Sequence, residues 1–182
     1  MRSVVPILER RLKRAEQTIR LVQGKRLSYA FEIREYGADG PRETGNEQYE
    51  TDLLISDDCA GEGWKPRVVI EVKLGSITTH DAVTYSEKAA THKRVHPYVR
   101  YGILIGDREH YPLPGRLYRH GAYFDFMLSW IGTKPTATEL RSATNVLTQE
   151  VRASRQLEEI LYSSRSPRRK RYTVLHRPLV LK

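Results

Sequence analysis

The sequence predicts an α/β protein with a central mixed sheet of four to five strands flanked by helices. Three observations carry that expectation. Residues 67–74, RVVIEVKL, place Val68, Ile70, Val72 and Leu74 on one side and Arg67, Val69, Glu71 and Lys73 on the other at a period of two. Residues 49–56, YETDLLIS, alternate in the same way. A segment of helical period, from Ser76 or Thr78 to about Val95, then leads into a further apolar run, residues 98–106. Strand, helix and strand in that order imply a crossover that lays the helix over one face of the sheet.

From the N-terminus, residues 4–22 read as a helix. Val5, Leu8, Leu12, Ala15, Ile19 and Val22 recur at spacings of three and four, and Gly24 follows as a stop. Residues 27–36 alternate as a first strand, and Gly37-Ala38-Asp39-Gly40-Pro41 is a turn by composition. The second strand is 49–56 and the third 67–74, joined by the glycine-rich DDCAGEGWKP, which lacks phosphate-loop spacing. Loops this short make the three strands an antiparallel meander.

Gly75 ends the third strand. The following helix carries Ile77, Ala82, Tyr85, Ala89 and His92 on one stripe, and His96-Pro97 breaks it before the fourth strand. Residues 107–121 interleave Arg108, His110, Arg116, Arg119 and His120 with Tyr111 and Tyr118, a pattern suited to a loop against DNA or to an ordinary surface loop. Residues 123–131 are a fifth strand or a buried helical turn. Residues 136–163 form the longest helical pattern, placed to cover the second sheet face or to make a dimer contact.

The chain has 182 residues, enough for one sizeable core, and divides into a domain over 1–164 and a basic tail over 165–182. Formal net charge is +9, yet seven Lys or Arg and no acids lie between Arg165 and Lys182, leaving +2 for the body. The tail is a solvated charge run that also favours phosphate contact. A lone cysteine, Cys59, excludes an intramolecular disulfide and a cysteine-based zinc cluster, so any metal is held mainly by oxygen or histidine. No apolar run approaches a membrane span, and the N-terminus turns charged too early for a secretory signal, which points to a cytoplasmic protein.

Glu71 and Lys73 stand two apart on a strand otherwise fit for the middle of a sheet, where charge is costly without a partner or ligand. Acid, any residue, lysine occurs about once by chance in a chain of this charge content. Asp52, an acid early in the preceding apolar strand, raises its weight, because an antiparallel partner brings it beside Glu71. Asp52, then Glu71-Val72-Lys73, a short turn, an amphipathic helix and another apolar strand resemble the PD-(D/E)XK nucleases, the restriction endonuclease-like superfamily. The likeness covers roughly residues 1–107 as an αβββαβ order and rests on three motif residues. Thr51 stands where the family name has proline, and the helix lacks the glutamine and tyrosine of the RecB-like branch.

The resemblance implies a restriction endonuclease-like core and metal-dependent hydrolysis of DNA. Asp52 and Glu71 would hold Mg²⁺, for which Mn²⁺ substitutes, with the carbonyl of Val72 completing the protein ligands and Lys73 orienting the attacking water or stabilising the developing charge. In many such nucleases a glutamate of the first helix joins the metal site. Glu9 and Glu16 are the candidates, although nearby arginines suit both to surface pairing. Thr78, Lys88, Lys93, Arg108, Arg116 and Arg119, with Arg168, Arg169, Lys170 and Arg171 in the tail, are candidate DNA contacts. Cutting both strands with one site per chain suits a homodimer. A junction or repair nuclease, a non-cutting nucleic-acid-binding module of the same fold, and a basic-tailed RNA partner are the alternatives.

Overall fold

A computed structural model describes residues 3–108 and 112–163. Among the described residues the elements are, in order, α1 (Val5–Ala15), β1 (Ile19–Gly37), β2 (Gly40–Asp58), β3 (Trp64–Leu74), α2 (Thr79–Val95), β4 (Arg100–Gly106), α3 (Gly115–His120), β5 (Phe126–Ser129) and α4 (Ala137–Tyr162). The five strands form one sheet in the order β1-β2-β3-β4-β5. β1, β2 and β3 are antiparallel neighbours, whereas β3–β4 and β4–β5 are parallel. The fold is therefore α/β with a mixed sheet between helices.

Strand parity builds two cores. Leu53, Ile55, Val68 and Ile70 face α1 and α4, packing with Leu8, Leu12, Leu140, Leu147 and Val151. Leu54, Val69, Tyr101, Ile103 and Ile105 face the other way, toward Ala82 and Ala89 of α2. Two capping boxes begin the long helices: Thr78 with Asp81 for α2, and Thr136 with Glu139 for α4. α1 has Pro6 in its first turn, where a missing N–H breaks no helical bond.

The first helix is shorter than its periodicity suggests. It stops at Ala15, Glu16 is extended, and Ile19 to Val22 open β1. Spacings of three and four continue through Ile19 and Val22, but Ile19 and Leu21 also alternate. Pairing decides between them, Ile19 opposite Asp57 and Leu21 opposite Ile55. β1 and β2 then run far beyond the expected strands, each 19 residues long, to the turn at Gly37 and Gly40. Because β3 pairs with β2 only between Leu53 and Asp58, the distal half projects as a two-stranded ribbon. Phe31, Ile33 and Tyr36 on it are exposed.

Gly24 adopts φ +64° partway along β1. Leu21 and Leu27 are six apart and would share a face of a regular strand. Leu21 nevertheless joins the α1–α4 core and Leu27 the α2 core. The left-handed glycine between them is where the ribbon changes face.

Residues 107–121, expected as one loop, contain the short helix α3, and 109–111, with His110 and Tyr111, lie outside the described residues. Residues 123–131 supply a fifth strand, not a helical turn. The tail, with Arg168, Arg169, Lys170 and Arg171, also lies outside the described residues. No helix among the described residues is long and apolar enough to cross a membrane.

Candidate active site

β2 and β3 bring the two motif acids together on the face covered by α2. Leu53 is paired with Ile70, so the next step of the same register sets Asp52 against Glu71. Asp52 Oδ2 accepts the backbone N–H of Val72 at 2.7 Å, which anchors its carboxylate to β3. Glu71 is 2% exposed, while Asp52 lies at the solvent side. Tyr101, on the neighbouring β4, donates its hydroxyl to Glu71 Oε1 at 2.5 Å. Lys88 of α2 approaches the same oxygen at 3.7 Å.

Burial pushes the Glu71 carboxyl up to about 7, against the pull of Tyr101 and Lys88. Asp52 adds to the rise by charge repulsion and by a hydrogen bond that favours protonated Glu71. Burial and Glu71 together raise the Tyr101 hydroxyl, so it stays a donor. His92 stacks on the Tyr101 ring at 5.6 Å between centroids and meets the Ser28 carbonyl through Nδ1 at 3.0 Å. That carbonyl can only accept, so Nδ1 carries the proton. Burial holds His92 down to about 4 and keeps it neutral.

The third motif residue is turned elsewhere. Lys73 Nζ lies 3.1 Å from Asp81 Oδ1. Asp81 Oδ2 takes both the Thr78 N–H and its hydroxyl at 2.8 Å. Those Thr78 bonds, aided by Lys73, hold the Asp81 carboxyl at about 2. Thr78 is thus the N-cap of α2, its hydroxyl engaged by the helix itself, not turned toward a nucleic acid.

The other candidate cations divide. Lys93 reaches inward, to Asp125 Oδ2 at 2.8 Å and the Tyr123 carbonyl at 2.7 Å. Arg108 donates to the Pro112 carbonyl and Arg116 to the Ile77 carbonyl. Arg116 and Arg119 are exposed on α3. Of the first-helix acids, Glu9 pairs with Lys13 on its own helix. Glu16 pairs with Arg152 and Arg155 of α4. Arg155 also holds Asp57, on the face opposite Glu71, so Glu16 is committed to the far side of the sheet.

Asp52 and Glu71 are the protein oxygens that would hold a divalent ion. Val72 enters through its N–H, which orients Asp52, whereas the resemblance implies its carbonyl. No group of three His, Cys, Asp or Glu suited to a metal forms among the described residues. Two carboxylates still suit Mg²⁺, which keeps several waters and needs only one or two protein acids. An acid raised toward neutrality chiefly by burial, with a second acid beside it adding to the rise, is a place where added positive charge is favourable.

Tyr101 is the site residue that the motif reasoning missed. Its signal is the single phenol in the wholly buried β4, followed only by glycine, isoleucine and leucine, whose hydroxyl needs a partner. No protein-family model and no curated protein matches the chain.

Proposed function

We propose that the protein is a divalent-metal-dependent endonuclease with a restriction endonuclease-like core, hydrolysing DNA phosphodiester bonds in the cytoplasm as a homodimer. The observation that carries this reading is the meeting of Asp52 and Glu71 on one sheet face, fastened by Val72 N–H and Tyr101. Mg²⁺ or Mn²⁺ bound there supplies Lewis acidity to a phosphate and an acidified water.

Asp52 and Glu71 would hold the ion, with Val72 N–H and the Tyr101 hydroxyl orienting their carboxylates for it. In the hydrolysis, a water oxygen bonds to phosphorus, the bond from phosphorus to one sugar oxygen breaks, and that oxygen leaves with a proton. The ammonium of Lys88, 3.7 Å from Glu71 Oε1, supplies positive charge for the reacting phosphate. Arg116 and Arg119 on α3, with the tail's Arg168, Arg169, Lys170 and Arg171, supply backbone contacts.

The test uses plasmid, linear and four-way-junction DNA with the full chain, in Mg²⁺, Mn²⁺ or EDTA. The parent cuts only with metal, and Asp52→Asn cuts at least about 100-fold more slowly. Discrete sequence-defined fragments identify a restriction enzyme, and cutting of junctions alone a resolving one. Absence of product with either ion, or equal cutting by Asp52→Asn, defeats the reading. A non-cutting DNA-binding module then takes its place, favoured by the engagement of Lys73 with Asp81.

A further inference from the structure

Two lysines come from the elements that frame the acid pair, and their surroundings differ. Lys73 sits at the end of β3 with its ammonium on Asp81, a residue already fixed at the start of α2 by three donors from Thr78 and Lys73. This contact ties the strand end to the helix start. Lys88 lies seven residues after Asp81, two turns along the same helix face. Its ammonium is 3.7 Å from Glu71 Oε1, and its side chain is 25% exposed. The rings of Tyr49 and Tyr85 lie 5.4 Å and 5.6 Å from it, so aromatic faces from β2 and α2 confine the charge beside the carboxylates.

We infer that Lys88 is the cation that works with Asp52 and Glu71, while Lys73 is a latch joining β3 to α2. This rests on the nuclease reading. The strand lysine of the motif has a carboxylate partner of its own, at 3.1 Å, and moving it to a phosphate would break the bridge to Asp81. Lys88 already faces the pair. Its ammonium lies beside two phenol rings on a side chain largely withdrawn from solvent, where charge acts more strongly than in open water. A phosphate arriving at the acids would meet this ammonium without any rearrangement of α2. The same proximity makes Lys88 compete with a metal ion for Glu71, because two cations beside one carboxylate repel each other.

Single-turnover cleavage and Mg²⁺ titration, followed by thermal shift without DNA, test the assignment on the full chain. Lys88→Ala is expected to slow the cleavage step about 100-fold, with the enzyme concentration for half-maximal rate changed less than about threefold. Lys88→Arg, which keeps the charge, recovers at least about a tenth of the parent rate. Lys73→Ala melts at lower temperature yet cuts within about tenfold of the parent. Without DNA, Lys88→Ala binds Mg²⁺ several-fold more tightly than the parent, and Lys73→Ala binds it alike.

A parent that cuts, with Lys73→Ala inactive and Lys88→Ala near parental, overturns the assignment and spares the nuclease reading. A parent that cuts nothing overturns the nuclease reading and this role of Lys88 with it. Unchanged Mg²⁺ affinity in Lys88→Ala refutes the pairing of Lys88 with Glu71 in either case.

Discussion

The Tyr101 hydroxyl donates to Glu71 Oε1 from the adjacent parallel strand, at 2.5 Å, with both side chains out of solvent. The register sets Val69 beside Tyr101 and Glu71 beside Ile103, so the phenol reaches diagonally along the sheet to the acid. Removing the donor leaves a buried carboxylate short of a partner. Tyr101→Phe is expected to lower unfolding stability by about 1–3 kcal/mol at pH 8. Urea titration of parent and variant measures it; an unchanged midpoint rules the contact out as a stabilising one.

A second expectation concerns the tail. Seven Lys or Arg and no acid lie between Arg165 and Lys182. A chain ending at Ser164 should bind duplex DNA more weakly, with its log–log salt slope reduced by up to about 6. Cleavage by the remaining body should persist at low salt. Anisotropy titrations at several salt concentrations give the slopes, and equal slopes remove the tail from DNA binding.

The ion network on the opposite face makes a prediction about acid. Burial alone would raise the Asp57 carboxyl, but Arg155 and Arg67 outweigh it and hold it at about 2, below its usual 3.8. A carboxyl lowered in the folded state stabilises above its unfolded pKa, and that contribution drains away as pH falls through the folded one. Asp57 therefore contributes about 2 kcal/mol at neutral pH, lost between about pH 4 and pH 2. Asp57→Asn should be less stable than the parent by about 3 kcal/mol at pH 7, since Arg67 and Arg155 lose a buried partner. The gap should shrink below pH 4, as followed by denaturant melts; a gap independent of pH contradicts the network's role.

Close approach at the β4–β5 edge gives a fourth. A Cβ on Gly102 would lie 2.5 Å from the ring and from the carbonyl oxygen of Phe126. The carbonyl is backbone and cannot swing aside. Gly102→Ala should lower stability by about 1–3 kcal/mol, and hydrogen exchange should quicken first in β5. Parental exchange in Phe126–Ser129 would show the approach is looser than described.

Much of the site was legible because a strand's period of two is a local property. Alternation alone places Leu53, Ile55, Val68 and Ile70 on one face, and hence Asp52 and Glu71 on the other. The start of α2 was legible as well, since a threonine followed three residues later by an acid writes a capping box into the chain. The same pattern hid the fate of Thr78 as a contact residue. A hydroxyl that caps a helix and one that meets a phosphate look alike until the bonds are drawn.

By itself, then, the sequence determined the α/β class, the meander followed by a crossover, and the strand face that carries each of Asp52 and Glu71, all from patterns local to each segment. Tertiary structure decided the rest. It ended α1 at Ala15 because Ile19 and Leu21 gain partners in β2 that no helix offers them. It let Gly24 carry Leu27 to the other core, and it brought Tyr101 and Lys88, 30 and 17 residues beyond Glu71, to one carboxylate oxygen. Which lysine faces the acids depends on where α2 lies across the sheet. That placement comes with the burial of Ala82 and Ala89 in one core with Val69, Tyr101 and Ile103, residues of segments far apart in the chain.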